Sequence, residues 1–258
     1  MTDLQARALP GIPEVRAGDD LAALILAALG EEPLAAGHVL AIAHKAVSKA
    51  EGAVVALDRV RPGARARELA AEQDKDPRAV QVVLDESTEV LRAERGVLIC
   101  RTIHGFVCAN AGVDASNSGG AEELVLLPRD PDASARAIRA RLRALLDERE
   151  GDVSLAPAVL ITDSFGRGWR HGQLDVAIGL AGMQPLDDWR GRTDVRGIEL
   201  RATWLAVADA AAATADLARA KDSREPVVVI DGLQRFVTEE DGPGAAALLR
   251  PLAEDLFR

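Results

Sequence analysis

The residues best suited to chemistry in this chain are carboxylates, a hydroxyl and basic groups that follow apolar runs. Asp163 and Ser164 come directly after "AVLIT". Asp114 and Asn117 sit in a small, polar stretch after "FVCANAG". His44, Lys45 and Lys49 follow "VLAIA", and Arg167, Arg170 and His171 lie in the glycine-rich "FGRGWRHG". Residues at strand ends are held rigidly yet stay accessible, which suits ligand contact. Two carboxylates with hydroxyl or amide oxygens make a hard donor set, better matched to Mg²⁺ or Mn²⁺ than to zinc. Lysines and arginines beside them would neutralise phosphate oxygens. That combination is the chemistry of metal-assisted phosphoryl transfer, which works by positioning and charge stabilisation. Each feature alone also has a plainer role. An Asp-Ser pair after a strand commonly caps a turn. "DASNSGG" has the composition of a solvated loop, and Lys45 and Lys49 suit surface charges facing Glu51 or Asp58.

Other chemistries are excluded by what is missing. There is no GKS or GKT phosphate-binding loop and no G-x-S-x-G nucleophile turn. Gly166, Gly168 and Gly172 are spaced one residue too far for a dinucleotide fingerprint. They read instead as points where backbone approaches a ligand closely. Cys100 and Cys108 lie in apolar runs without zinc-ligand spacing, so they read as buried reduced thiols, consistent with a cytoplasm. A net charge of -10 argues against nucleic acid as a partner. The start, "MTDLQARALPGIPEV", lacks the basic and apolar regions of a signal peptide. The longest apolar run, Leu21 to Leu29, is too short to span a membrane. The expectation is a cytoplasmic protein without membrane or nucleic-acid partners.

The elements that must position these residues follow from periodicity and punctuation. Aromatics are 3% of the 258 residues and Tyr is absent, so the core must be Ala, Val, Leu and Ile. Asp19 and Asp20 before "LAALILAAL", with Gly30 after it, predict a short helix. "HVLAIAHKAV" and "AVVALDRV" read as strands. Arg65 to Gln73 reads as a helix. Asp76-Pro77 opens another, whose stripe is Val80, Val83, Leu84 and Leu91. "GVLICRTI" and "GFVCANAG" read as paired strands, and "ELVLLP" as a further one. Ser134 to Glu150 is an amphipathic helix with Ile138, Leu142, Leu145 and Leu146 on one face. "PAVLIT" is a strand leading into the glycine-rich loop. Leu200 to Ala220 reads as helix, "EPVVVID" as a late strand and "PGAAALLRPLAEDLF" as helical turns. Strands and helices mix without strict alternation, which indicates the α+β class.

Taken together, the stretches resemble the coenzyme F420-0:L-glutamate ligase family, the GTP-dependent gamma-glutamyl ligases of deazaflavin coenzyme biosynthesis. The matching pieces are "LPGIPEVRAGDDL", "AHKAVSKAEGAVV", "KDPRAVQVVLDES", "RTIHGFVCANAGVDASN" and "ITDSFGRGWRHGQLDVAIGLAGMQPLDDWRGRTDVRGIEL", with "ADAAAATADLARAKDSREPVVVIDG" following more loosely. The resemblance implies that GTP phosphorylates a terminal carboxylate of the coenzyme F420 precursor. The amine of L-glutamate then attacks the acyl phosphate, and further gamma-linked glutamates can follow. It implies Mg²⁺ or Mn²⁺, two ions per site, with K⁺ as an additional candidate. It also implies a two-lobed α+β unit over residues 1–258 without a C-terminal reductase-like domain, assembled as an intertwined homodimer.

Carried over residue by residue, the resemblance places GTP contacts at Ile12, Pro13, Glu14, Val15, His44, Lys49 and Asn117, with a later segment around Arg219 to Glu225. It places metal ligands at Asp114, Asp163 and Ser164, and marks no residue as the acid or base. Lys45, Arg167, Arg170, His171 and Lys221 are candidates for substrate or phosphate. Three residues depart from the family pattern. His44 stands where relatives often carry a small polar residue or Gln. Lys221 stands near a Gln or acidic position, and Asp231 stands where Arg is usual. These departures leave two alternatives open: a related GTP-dependent ligase acting on another carboxylate, and a deazaflavin- or GTP-binding protein without turnover.

Overall fold

Among the described residues the strands form one central sheet and three smaller ones. The computed structural model describes residues 3–35, 37–115, 122–150 and 156–256. In chain order the first elements are β1 (Gln5–Ala8), α1 (Leu21–Leu29), β2 (Val39–Ala43), α2 (His44–Ala50) and β3 (Val54–Ala56). Then come α3 (Ala64–Gln73), α4 (Pro77–Asp85), β4 (Ser87–Glu94), β5 (Val97–Thr102), β6 (Val107–Ala109), β7 (Asp114–Ala115) and β8 (Glu123–Val125). The remainder is α5 (Pro131–Glu150), β9 (Ala158–Arg167), β10 (Arg170–Ala181), β11 (Leu186–Asp188), β12 (Trp204–Ala206), α6 (Val207–Ala218) and β13 (Val227–Asp231). The class is α+β, as expected.

The central sheet runs β1-β13-β2-β9-β10. Only β2 and β9 pair in parallel; their neighbours are antiparallel. Alternate residues of β2 and β9 feed opposite faces. Leu40, Ile42, Val159 and Ile161 pack with Ile25 and Leu29 of α1 and with Leu142 and Leu146 of α5. Val39, Ala41, Ala158 and Leu160 pack on the other face against Ala208, Ala211, Ala212 and Ala215 of α6. Each fully buried Leu or Ile here contributes about 1.5–3 kcal/mol. A third core draws on residues 55–126, with Leu69, Val80, Val83, Leu98 and Cys100 at its centre.

Local signals explain the helix ends. The Asp20 side chain accepts from Ala23 N at 3.1 Å, and Gly30 takes a φ of 60° after Leu29. Asp76 accepts from Arg78 N at 2.7 Å, with Pro77 in the first turn. One buried charge ties distant segments together. Arg139 of α5 is buried and donates to the carbonyls of Ala156, Pro157, Thr238 and Glu239 and to Asp241.

The structure corrects several boundaries. The strand in "HVLAIAHKAV" stops at Ala43, because the next seven residues form α2. Leu91 is not on the α4 stripe; it lies in β4, half out in solvent, in a stretch started by Ser87-Thr88. The segment from Leu200 splits into β12 and α6. The glycine-rich loop is largely a β-hairpin, since β9 continues to Arg167 and β10 returns from Arg170. Cys100 and Cys108 face each other across β5 and β6 as free, buried thiols. Burial pushes the Cys108 thiol up to about 12 and raises that of Cys100. Among the described residues no helix is long and apolar enough to cross a membrane.

Candidate active site

Parallel pairing of β2 with β9 creates the site. Ala43 and Thr162 are register partners, so the residues that follow them, His44 and Asp163, emerge side by side. Asp114 arrives from another direction. Asn110, Ala111 and Gly112 all take left-handed backbone, with φ of 50°, 55° and 70°. That tight reversal turns the chain into β7, which begins at Asp114. A Cβ on Gly112 would lie 2.8 Å from Leu127 side-chain carbons, so the turn has no room for a larger residue.

His44 Nε2 lies 3.3 Å from Asp163 Oδ1 and 3.8 Å from Asp114 Oδ2. His44 is 2% exposed, and among the described residues neither ring nitrogen has an aligned hydrogen-bond partner. Burial disfavours its charged form, but the Asp114 and Asp163 carboxylates outweigh that and raise its pKa to about 9. Burial works to raise the Asp114 carboxyl, but His44 and Lys45, whose Nζ is 2.9 Å away, bring it down to about 2.

The other half of the site centres on Asp175 of β10, which is 1% exposed and lies opposite Ser164 in the sheet. Its carboxylate accepts from Ser164 Oγ at 2.6 Å and Thr162 Oγ1 at 2.8 Å, and it pairs with the Arg219 guanidinium. Burial opposes ionisation there, while Ser164, Arg219 and Thr162 hold the carboxyl below its ordinary range. Lys221 Nζ donates to Ser164 Oγ at 2.8 Å and to Asp216 Oδ1 at 2.6 Å.

Both halves line one cleft of about 1000 Å³. Ile12, Pro13, Glu14 and Val15 form one wall, with Glu14 ion-paired to Lys49. The segment from Arg219 to Pro226 also lines the cleft, through Arg219, Ala220, Lys221, Arg224, Glu225 and Pro226. Within it Arg224 takes a left-handed φ of 59°, a conformation that non-glycine residues adopt at a cost. The structure thus gathers Ile12, Pro13, Glu14, Val15, His44, Lys45, Lys49, Asp114, Asp163, Ser164 and Lys221 around one space.

Other candidates lie elsewhere. Arg167, Arg170 and His171 are exposed at the tip of the β9–β10 hairpin and do not line the cleft. Arg167 donates to the His171 carbonyl, and a side chain at Gly166 or Gly168 would meet open space. Asn117 lies outside the described residues. Asp231 ends β13 at the end away from Pro226, roughly 16 Å along the strand. There it accepts from Gly232 N at 2.7 Å and from Gln234, so its departure does not touch the cleft. Thr162 and Asp175 were not expected. Asp175 carried a signal: a charge inside the apolar run "LDVAIGLAGM" must find a partner if that strand is buried.

The donor set fits a divalent ion. One ligand atom from each of His44, Asp114 and Asp163 falls within 4.8 Å of the others. The buried imidazole nitrogens without hydrogen-bond partners are the strongest sign of fit. One nitrogen beside two carboxylates makes the set less purely hard than an all-oxygen one, which favours Mn²⁺ over Mg²⁺.

Fold and cleft together bring carboxylates, an imidazole and basic side chains to one space at paired strand ends. Residues 11–232 match the family model described as F420-0:Gamma-glutamyl ligase. The Coenzyme F420:L-glutamate ligase of Methanothermobacter thermautotrophicus is 42% identical over 251 residues, covering 96% of both chains. The protein of that name in Methanopyrus kandleri is 42% identical over 257 residues, covering 99% of this chain and 98% of its own. That of Halobacterium salinarum is 43% identical over 262 residues, covering 99% and 96%. The chain belongs to the F420-0:gamma-glutamyl ligase family and is a ligase.

Proposed function

We propose that the chain joins L-glutamate to coenzyme F420-0 at the expense of GTP, through an acyl phosphate, and can then add gamma-linked glutamates. The reading rests on the family and on one observation: the His44, Asp114 and Asp163 donors open into the same cleft as Lys49, Arg219 and Arg224. Phosphoryl transfer is mostly positioning and charge stabilisation, and this cleft offers both. A divalent ion bound by His44, Asp114 and Asp163 would withdraw charge from phosphoryl oxygens. Lys49 exchanges its contact with Glu14 for a phosphate oxygen, and Arg224 adds a planar set of donors. Asp175 holds Ser164 and Arg219 in place from below. No side chain is needed as general base if the amine of glutamate arrives neutral beside an activated carboxyl.

The test is incubation with GTP, Mn²⁺, L-glutamate and F420-0, followed by mass spectrometry of the deazaflavin. Glutamylated F420 with stoichiometric GDP is expected, and the spectrum counts the glutamates added. GDP release without glutamylated product would move the activity to another carboxylate. Nucleotide or deazaflavin binding with no GDP at all would make the protein a binding module. Light scattering of the same preparation reads the proposed homodimer, and repeating the assay with and without K⁺ reads any need for a monovalent ion.

A further inference from the structure

The two halves of the cleft treat cations differently. In the first, the His44 ring sits between two carboxylates, with Nε2 3.3 Å from Asp163 and 3.8 Å from Asp114. Among the described residues it makes no aligned hydrogen bond and Lys45 pairs with Asp114, which leaves a mixed donor set gathered at one point. In the second, both Asp175 oxygens and the Ser164 hydroxyl are already engaged. Asp175 Oδ2 takes Thr162 and Arg219, and Asp175 Oδ1 takes Ser164, with Lys221 Nζ 3.5 Å away. The Ser164 hydroxyl gives its proton to Asp175 and accepts from Lys221. The Lys221 ammonium has three protons, and three oxygens surround it: Asp216 Oδ1 at 2.6 Å, Ser164 Oγ at 2.8 Å and Asp175 Oδ1 at 3.5 Å.

We propose that the Lys221 ammonium stands in for a second divalent ion, so that the protein's own ligands hold one metal ion per chain rather than two. Asp175 and Asp216 carry two negative charges, and Arg219 with Lys221 carries two positive ones. Both Asp175 oxygens and the Ser164 hydroxyl are already taken by direct contacts, so none of them is open to a divalent cation. An ion bound to Ser164 Oγ would sit about 2–2.6 Å from that oxygen, close against the ammonium, where like charges repel. Ser164 is therefore a ligand for Lys221 rather than for metal. Lys221 is a positioning residue whose fixed single charge faces the ligand space.

The inference rests on the proposed metal centre at His44, Asp114 and Asp163, but not on the identity of the substrate. Its test counts ions. The full chain is stripped with chelator and titrated with Mn²⁺, and free Mn²⁺ is followed by electron paramagnetic resonance. Wild type is expected to bind one ion per chain. Asp114→Asn should lose it, which locates the ion. Lys221→Gln removes the ammonium from an exposed position and should admit a second, weaker ion, whereas Lys221→Arg should stay at one. Two ions in wild type, none in wild type, or a single ion in Lys221→Gln would each overturn the proposal. A merely structural ion pair at Lys221 would leave the count unchanged. Glutamylation is scored separately: one ion without glutamylated F420 sinks the substrate reading alone, and glutamylation with two bound ions sinks this inference alone.

Discussion

Asp175→Asn tests whether the second half of the cleft is a charge-balanced unit. The substitution removes one charge with little change of volume. Asp175 is 1% exposed and the Arg219 side chain is 9% exposed, so water cannot replace the lost anion. Removing one member of a buried ion pair costs about 3–5 kcal/mol. Arg219 keeps two neutral acceptors, Thr162 Oγ1 at 2.7 Å and the Pro226 carbonyl at 3.1 Å. Asparagine also keeps one acceptor oxygen. The loss should therefore fall near the lower end, about 3 kcal/mol. For a chain of this size that lowers Tm by about 6 °C or more.

Urea unfolding of the wild type and the variant gives the loss directly. A double-mutant cycle with Arg219→Met then isolates the pair. Arg219→Met alone leaves Asp175 with its hydroxyl donors and a distant ammonium, so it too is destabilising. The double variant removes both buried charges and should lose less than the sum of the single losses. Strictly additive losses, or a loss below about 1 kcal/mol for Asp175→Asn, would show that the pair is not a coupled buried unit.

Other consequences can be checked independently. Arg139→Met leaves four carbonyls without their donor and is expected to cost about 3 kcal/mol or more in urea unfolding, with Arg139→Lys recovering only part of it. Gly112→Ala forces a methyl against Leu127 in left-handed backbone and should cost about 1–3 kcal/mol. Because that turn delivers Asp114, the same variant should bind Mn²⁺ more weakly in the resonance titration. Cys100 and Cys108 should resist a thiol reagent in the native chain and react fully only in denaturant, since both are buried with raised pKa values. Arg170→Ala at the hairpin tip should leave nucleotide affinity unchanged in equilibrium binding; a clear loss would bring the tip to the ligand.

Where local chemistry decides the structure, the sequence was readable. Asp20 and Gly30 bound α1 as their types require, and the apolar runs of β2, β9 and β13 became the buried strands. Where pairing at a distance decides it, local signals misled. "FGRGWRHG" has loop composition, yet β9 and β10 carry their pairing out to Arg167 and Arg170 because a ribbon tip needs no apolar face. His44 looked like part of a strand because Ala46 and Val47 extend the apolar run; only the turn into α2 brings it over the cleft. The same limit hid Arg219 as the partner of Asp175, which lies 44 positions away. Composition marks Asp175 as a problem without naming its solution.

The parallel pair β2–β9 sets the division of labour in the cleft. Its register puts His44 and Asp163 at adjacent strand ends, where Asp114 can join them. The antiparallel pair β9–β10 sets Asp175 opposite Ser164, one residue further along. Successive residues of a strand point to opposite faces, so Asp163 and Ser164 serve different neighbours although they are adjacent in sequence. Asp163 faces the imidazole and Asp114, while Ser164 faces Asp175 and Lys221. An Asp-Ser dipeptide that resembles one metal-binding pair is thereby split between the proposed metal site and an internal cation network. A one-residue shift of β9 against β2 would exchange those roles, which is why register, rather than the residue types alone, sets which of the two side chains meets His44 and Asp114.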